Sequence, residues 1–192
     1  MPKENEFTCG VNPLCPDDGK WSARDEQSSE DEVNEFLGAL VRLIKPKFVV
    51  ETGCYLGDGT LAIANALRAN GFGTILTCDI DPTRVAAVDR RIQEQGLENY
   101  ATVILRNGKE LIEACGSQID FAFIDSSPLG QDRADEINAL LPFLSRVQMF
   151  ALHDTAPQHE QITAVAGYFA SRPELSSVYF NTPRGLSLFM KK

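Results

Sequence analysis

Short apolar segments alternate with segments of helical periodicity from residue 29 onward, and polar residues end each of the first five apolar segments. Such segments are typical of strands buried in a parallel sheet, because both faces of that sheet are covered. Strands that alternate with helices predict an α/β domain with a doubly wound, mostly parallel sheet. The predicted strands are 48–50, 74–78, 102–105, 119–124 and 147–152, followed by a hairpin of 178–180 and 186–190 that adds an antiparallel strand at the C-terminal end. The predicted helices are 29–45, 59–70, 82–96, 108–115, 132–141 and 160–171.

The first helix predicts where the folded domain begins. Ser29 to Glu32 has the spacing of a capping box, and Pro46 ends the helical pattern. Residues 1–27 are rich in Pro, Gly, Asp and Asn. We therefore predict an irregular N-terminal arm over 1–27 and one domain over 28–192.

Charge and hydropathy exclude several classes of protein. The chain of 192 residues has a formal net charge of -9 and a sequence pI near 4.7, which argues against nucleic acid as a main partner. It has no apolar run of about 18 residues, which a membrane span would need, and its N-terminus lacks the apolar core of a secretory signal. We predict a cytoplasmic protein without a membrane partner, and leave open a homodimer through an exposed helix or the arm.

Acidic or polar residues follow each predicted parallel strand. In an open parallel sheet, ligands bind beyond the carboxyl ends of the strands, near the point where the strand order reverses. We therefore predict one ligand site at this edge of the sheet. The strand ends are Glu51-Thr52-Gly53, Asp79-Ile80-Asp81, Arg106-Asn107-Gly108, Asp125 and His153-Asp154.

The turn after the first strand carries glycines at positions 53, 57 and 59. A phosphate-binding P-loop needs Gly and Lys where Asp58 and Gly59 stand, and a dinucleotide fingerprint needs Gly where Tyr55 stands. An acid at position 58 would also repel a pyrophosphate. A nucleoside without phosphates that carries an amino acid fits the loop better.

The second strand end supplies a candidate for ribose binding. Asp79 is placed to accept hydrogen bonds from both ribose hydroxyls, and Ile80 to cover a base. Bonds to a charged acceptor contribute roughly 1.5–3 kcal/mol each. In the alternative interpretation, Asp79 and Asp81 only cap the helix that begins at Pro82; we assign the cap to Asp81.

These motifs, in this order, resemble class I S-adenosylmethionine (SAM)-dependent methyltransferases with a Rossmann-like fold. The similarity is greatest to small-molecule O-methyltransferases related to catechol O-methyltransferase, and to compact bacterial relatives whose fifth strand ends in His-Asp-Thr. It covers about residues 29 to 192. The residues that carry it are Glu51-x-Gly53-x-x-x-Gly57, Asp79-Ile80-Asp81, Phe123-Ile124-Asp125 and Leu152-His153-Asp154-Thr155.

The resemblance implies a SAM pocket and an oxygen of a small hydroxylated molecule as methyl acceptor. Asp79 would hold the ribose, and Asp125 would belong to both the cofactor site and the catalytic site. The other implied cofactor residues are Glu51, Gly53, Tyr55 and Gly57 for the methionine part, and Ile80, Asn107 and Gly108 for the adenine.

In the metal-dependent branch of these enzymes, the acids that match Asp125 and Asp154 bind a divalent cation, here Mg²⁺. We predict Asp125, His153 and Asp154 as catalytic residues, with the two acids holding Mg²⁺ or orienting the acceptor without it. His153, or alternatively His159, would be the base. The chain departs from that branch: Thr155 replaces the usual Asn, and Pro128 stands in place of the lysine base.

Two other functions remain open from the sequence. A binding module that kept the cofactor fold but lost catalysis would explain the missing lysine and the Ser126-Ser127-Pro128 loop. An NAD-dependent oxidoreductase is the third hypothesis, and Tyr55 and Asp58 argue against it. We predict that the arm, residues 126–133 and residues 155–161 form the acceptor wall.

Overall fold

A computed structural model of the protein, which describes residues 12–15 and 17–192, contains one seven-stranded sheet. The elements are α1 (Asp31–Ile44), β1 (Phe48–Thr52), α2 (Asp58–Asn70), β2 (Thr74–Asp79), α3 (Pro82–Glu94), β3 (Ala101–Leu105), α4 (Gly108–Cys115), β4 (Phe121–Ile124), α5 (Gly130–Leu140), β5 (Met149–His153), α6 (Glu160–Ala170), β6 (Leu175–Phe180) and β7 (Leu186–Lys191). The strand order is β3-β2-β1-β4-β5-β7-β6, and β7 runs antiparallel to both of its neighbours, β5 and β6. The predicted fold class is therefore confirmed.

Alternate residues of the central strands pack into two separate hydrophobic clusters, one on each face of the sheet. Along β4, for example, Phe121 and Phe123 belong to the first cluster, and Ala122 and Ile124 belong to the second. Successive side chains of a strand point to opposite faces of the sheet. A strand made of apolar residues only therefore contributes side chains to both clusters. Helices α1–α3 cover the first face and α4–α6 cover the second.

The start of α1 differs from the prediction. The helix begins at Asp31, and Ser29 does not cap it. Instead, Ser29 Oγ donates to Asn34 Oδ1 at 2.9 Å, while Glu32 accepts a hydrogen bond from the arm. The serine hydroxyl is thus engaged by a side chain of the helix and not by its free backbone N–H groups.

The ends of the later strands also differ. β4 and β5 begin two residues later than predicted because turns occupy the preceding residues: 116–118 form a single 3₁₀ turn, and Val147 N donates to Phe143 O. β6 begins at Leu175, which is buried.

Part of the predicted arm lies outside the described residues, namely 1–11 and 16. The described part contains a 3₁₀ turn at Asp18–Lys20 and is otherwise irregular up to α1. The division into an arm and a domain remains a prediction.

None of the helices within the described residues is long and apolar enough to cross a membrane.

Candidate active site

A cavity of about 450 Å³ lies at the carboxyl ends of β1, β2 and β4. This is where the strand order reverses, between β1 and β4, and where parallel sheets bind their ligands. A second cavity of about 370 Å³ adjoins it and shares Gly53 and Asp79. The volume of each is in the range of small-molecule sites. Residues of the first cavity that the site uses are Glu26, Gln27, Ser28, Ser29, Glu51, Gly53, Tyr55, Asp58, Asp79, Asp125, Ser126, Ser127, Pro128, Arg133, Asp154 and Arg184.

The glycine turn after β1 forms the floor of the first cavity. Gly53 has φ +81°, and a Cβ there would lie 2.3 Å from the backbone oxygen of Asp125. Gly57 has φ +86°, and its Cβ would press on Val88. Only glycine satisfies both the backbone angle and the close approach at these positions. Tyr55, between them, also has positive φ, at 45°, which is uncommon for an aromatic residue.

Glu51, at the end of β1, lines the cavity although only 2% of it is exposed. The hydroxyls of Thr60 and Thr77 both donate to its Oε2 atom, the latter at 2.6 Å. Burial raises the pKa of this carboxyl to about 7, and the hydroxyl donors only partly oppose that effect. The Oε1 atom has no hydrogen-bond donor among the described residues.

Asp79, at the end of β2, lines both cavities. Its carboxylate accepts hydrogen bonds from the backbone N–H groups of Tyr55, at 3.1 Å, and Asp81, at 3.0 Å. Arg84 approaches it to 3.7 Å and lies over the Tyr55 ring. Asp81 caps α3 through Thr83 N, as predicted, so the two acids have different roles.

The residues predicted to contact adenine line the second cavity. Ile80 lines this cavity and is 75% exposed. The Asn107 side chain caps α4 by accepting from Glu110 N, and Gly108 begins that helix. A Cβ on Gly108 would collide with the buried carboxyl of Glu136. The fold thus brings Ile80, Asn107 and Gly108 together.

Two arginines contact the acids that follow β4 and β5: Arg133 bridges the two, and Arg184 contacts Asp154. Nη2 of Arg133 lies 3.0 Å from Asp125 Oδ1 and 3.3 Å from Asp154 Oδ2. Nε of Arg184 donates to Asp154 Oδ1 at 2.7 Å. Burial would raise the pKa of the Asp154 carboxyl, but the charges of His153, Arg184 and Arg133 outweigh burial and lower it. Asp154 also has φ +62°, in the left-handed region where non-glycine residues are strained and functional sites are frequent.

His153 lies behind this cluster and does not line the first cavity; only 1% of it is exposed. Its Nε2 atom lies 2.7 Å from Glu30 Oε2, and its Nδ1 atom lies 3.3 Å from Asp125 Oδ2 and 3.5 Å from Asp154 Oδ1. Burial alone would lower the pKa of the imidazole, but the three surrounding carboxylates outweigh burial and raise it to about 10. The ring is therefore protonated at neutral pH. His159 Nε2 lies 3.7 Å from Asp154 Oδ1.

The cation that the resemblance implies does not fit these residues. Asp125, His153 and Asp154 do offer ligand atoms that lie within 4.8 Å of one another. However, three of the four carboxylate oxygens face a guanidinium nitrogen, and the fourth faces the imidazole. Mg²⁺ needs oxygens that are free to coordinate it.

Sequence reasoning missed Glu30, Arg133 and Arg184. Glu30 is the residue directly before α1, and besides contacting His153 it accepts a hydrogen bond from Arg184 N at 2.8 Å. Arg133 lies on α5, and Arg184 in the turn before β7. Both arginines are buried, and a buried arginine implies acidic partners, but the sequence shows neither its burial nor its partners.

The end of the arm and the first two residues of the predicted domain supply one wall of the cavity, through residues 26–29. Arg24 holds the arm to the glycine turn with two hydrogen bonds to Asp58, both of 2.8 Å. Residues 126–128 supply another wall, whereas 155–161 do not line the cavity. Of the three segments predicted to form the acceptor wall, part of the arm and part of the 126–133 loop line this cavity.

Comparisons with known proteins agree with this geometry. A search of the curated proteins gives no match. Solved structures share the fold. The SAH-bound methyltransferase PaMTH1 of Podospora anserina superposes with a TM-score of 0.75 at 16% identity, over 87% of this chain and 81% of its own. The O-methyltransferase from Bacillus cereus in complex with SAH gives 0.71 at 15% identity, over 86% and 83%. The O-methyltransferase TomG from Streptomyces achromogenes, in complex with SAM, gives 0.67 at 14% identity, over 100% and 92%.

A profile of the methyltransferase domain family matches residues 50–155, more than half of the chain. The matched segment runs from β1 to the residue after Asp154, so it contains the glycine turn, Asp79 and Asp125. By this match, the chain belongs to the methyltransferase domain family.

Proposed function

We propose that the protein transfers the methyl group of SAM to an oxygen of a small hydroxylated molecule. The observation that carries this proposal is the composition of the first cavity. This cavity contains a buried acid at the end of β1, Glu51, and another at the end of β2, Asp79, which is the pattern of a nucleoside site. A third acid, Asp125, lies at the end of β4. The side chain of Asp125 is 18% exposed, so it can contact an acceptor.

The cofactor residues have separate tasks in this proposal. Oε1 of Glu51 accepts from the ammonium group of the methionine part, Asp79 accepts from the ribose hydroxyls, and Ile80 covers the adenine. Each carboxylate oxygen accepts more than one hydrogen bond, so Asp79 can bind ribose while it holds Tyr55 N and Asp81 N. The exposed Ile80 side chain supports its assignment, because a bound base would shield it from water.

The chemistry requires an aligned acceptor whose oxygen loses its proton. When bound, SAM supplies a methyl group that its sulfonium has already activated. Asp125 accepts the hydrogen bond of the acceptor hydroxyl and takes its proton as the new carbon–oxygen bond forms and the bond from the methyl carbon to sulfur breaks. Asp154 and the protonated His153 position Asp125 and the arginines. His153 is thus a positioning residue in this proposal and not the base, since it is buried behind the cluster and already carries a proton.

A small acceptor suits the cavity and the charge of the chain. The two adjoining cavities have volumes of about 450 and 370 Å³, enough for a cofactor and a small molecule. The O-methyltransferases among the structural neighbours support oxygen as the methylated atom. The net charge of -9 disfavours a polyanionic acceptor.

Titration with S-adenosylhomocysteine (SAH), followed by a screen of hydroxylated molecules for SAH formation from SAM, tests the proposal. We expect micromolar SAH binding by calorimetry and turnover with at least one acceptor. Binding without turnover across a broad panel would favour the inactive binding module instead. Absence of SAH binding would remove the cofactor assignment altogether.

Asp125→Asn should lower turnover at saturating SAM by about 10²–10⁴-fold, the usual contribution of a proton-transfer group. The amide keeps the size of the side chain but takes up no proton. Asp89→Asn, an exposed change on α3, is the matched control. If Asp125→Asn turns over as fast as the wild type, a group other than Asp125 takes the proton of the hydroxyl.

The pH dependence of SAH binding should follow the protonation of Glu51. The pKa of this buried acid is raised to about 7, so it is neutral below that pH and charged above it. We expect the SAH affinity to fall on acidification by up to tenfold per pH unit, as the carboxylate loses its charge. Asp58 and Asp125 contribute to the raised pKa, and both lie on the same cavity.

Calorimetry on wild type and Glu51→Gln between about pH 5.5 and 7.5 separates this effect from others, because the glutamine variant should bind weakly at every pH. The same raised pKa means that the folded chain binds the proton more tightly than the unfolded one. Stability therefore decreases between about pH 4.5 and 7 as this group ionises, and Glu51→Gln should lessen that decrease. A wild-type SAH affinity that is constant over the range contradicts the assignment of Glu51.

A further inference from the structure

We propose that Arg133 and Arg184 take the place of the divalent cation between Asp125 and Asp154, so that methyl transfer is metal-free, and that Arg184 donates its remaining N–H groups to an oxygen of the acceptor. This inference rests on the proposed function. It concerns the acceptor side of the cavity, whereas Glu51 and Asp79 define the cofactor side.

Arg133 is fixed by all three of its guanidinium nitrogens. Nε donates to Ser127 O at 2.6 Å, Nη1 to Ile124 O at 2.5 Å, and Nη2 contacts both acids. Its side chain is 2% exposed. A planar guanidinium held in this way cannot turn aside to admit a cation, and it bridges the two carboxylates as a metal would.

Arg184 is held by two of its guanidinium nitrogens and offers the third. Nε donates to Asp154 Oδ1 and Nη1 to Glu26 O, at 2.7 and 2.6 Å. Nη2 has no hydrogen-bond partner among the described residues, and the side chain lines the first cavity. These N–H groups are free to donate and their side chain lines the cavity, so an oxygen of the methyl acceptor is the partner that we assign to them.

The charge of the cluster argues in the same direction. Two guanidinium groups balance the two carboxylates, so the acids present no net negative charge to an incoming cation. In metal-dependent sites the carboxylates are the ligands and need their charge for the ion. Here the hydroxyl of the acceptor meets a carboxylate and a guanidinium instead.

Titration with Mn²⁺ alone, followed by calorimetry and electron paramagnetic resonance, tests the inference on the whole chain. We expect the wild type to bind no Mn²⁺ up to millimolar concentrations. Arg184→Gln frees Asp154 Oδ1 and Arg133→Gln frees one oxygen of each acid, so at least one of the two variants should gain tenfold or more in Mn²⁺ affinity. Arg172→Gln, which removes a cation from the ion pair with Glu174, should gain none.

Micromolar Mn²⁺ binding by the wild type would overturn the inference, as would two variants that keep SAH binding and gain no Mn²⁺ affinity. If the variants do not fold, the wild-type titration alone decides. SAH binding distinguishes the two proposals, because its absence removes the methyltransferase assignment and Mn²⁺ binding removes only the metal-free site.

Once the screen has identified an acceptor, Arg184→Gln should raise the KM for that acceptor about tenfold and leave the KM for SAM unchanged. An unchanged KM for the acceptor would refute the contact with Arg184.

Discussion

Replacing Asp79 with Ala should weaken SAH binding by about 100-fold or more, the largest effect that we expect from one change in the cofactor site. Two hydrogen bonds from ribose hydroxyls to a carboxylate contribute roughly 1.5–3 kcal/mol each, and 100-fold corresponds to about 2.7 kcal/mol. The truncation also releases the backbone N–H groups of Tyr55 and Asp81, which hold the glycine turn and the end of β2 together. Calorimetric titration with SAH measures the loss.

Two further variants separate ribose binding from disruption of the turn. Asp79→Asn keeps one oxygen acceptor and should lose less affinity than Asp79→Ala. Asp81→Ala removes the cap of α3 but lies outside the cavities, so its SAH affinity should match that of the wild type. If Asp79→Ala binds SAH as the wild type does, the ribose lies elsewhere and the cofactor assignment is wrong.

Replacing Glu30 with Ala should destabilise the fold by about 3–5 kcal/mol, because it leaves a buried cation without its partner. Glu30 is fully buried and accepts hydrogen bonds from His153 Nε2 and Arg184 N, at 2.7 and 2.8 Å. It thereby ties the start of α1 to the end of β5 and to the turn before β7. For a chain of this size, we expect the Tm to fall by roughly 6–20 °C.

Thermal unfolding followed by circular dichroism checks this expectation. Glu35→Ala, an exposed change on α1, is the matched control and should shift the Tm by little. If the Tm of Glu30→Ala equals that of the control, the Glu30–His153 contact contributes no net stability. The loss should be smaller in Glu30→Gln, which retains a hydrogen-bond acceptor for the imidazole.

The parts of the site that the sequence predicted are those encoded by short segments. Strand alternation predicts the sheet, the sheet predicts that strand ends meet, and a strand end is visible as an apolar run that stops at an acid. Glu51, Asp79 and Asp125 could be found in this way. Gly53 could be found as well, because a tight turn after a strand favours glycine. In the structure, its positive φ and its close approach to the backbone of Asp125 leave no room for a side chain.

The parts that could not be predicted depend on pairs that are distant in sequence. Glu30 and Arg184 are 154 positions apart, and Glu30 and His153 are 123 apart. Local patterns contain no information on such contacts, so the sequence predicts His153 as a base and Asp125 and Asp154 as metal ligands without indicating the charged side chains that surround them. The cap at Ser29 failed for a related reason, because Asn34 competes for the serine hydroxyl.

The position of β7 has a consequence for how the protein is made. β7 lies between β5 and β6 although it follows both in the chain, so β6 cannot join the sheet until β7 has left the ribosome. Synthesis adds roughly 5–20 residues per second, and the segment that contains Glu51, Asp79 and Asp125 emerges well before Arg184. A nascent chain can therefore assemble the strand ends that carry Glu51, Asp79 and Asp125 first, and Arg184 completes the cavity only when the turn before β7 arrives.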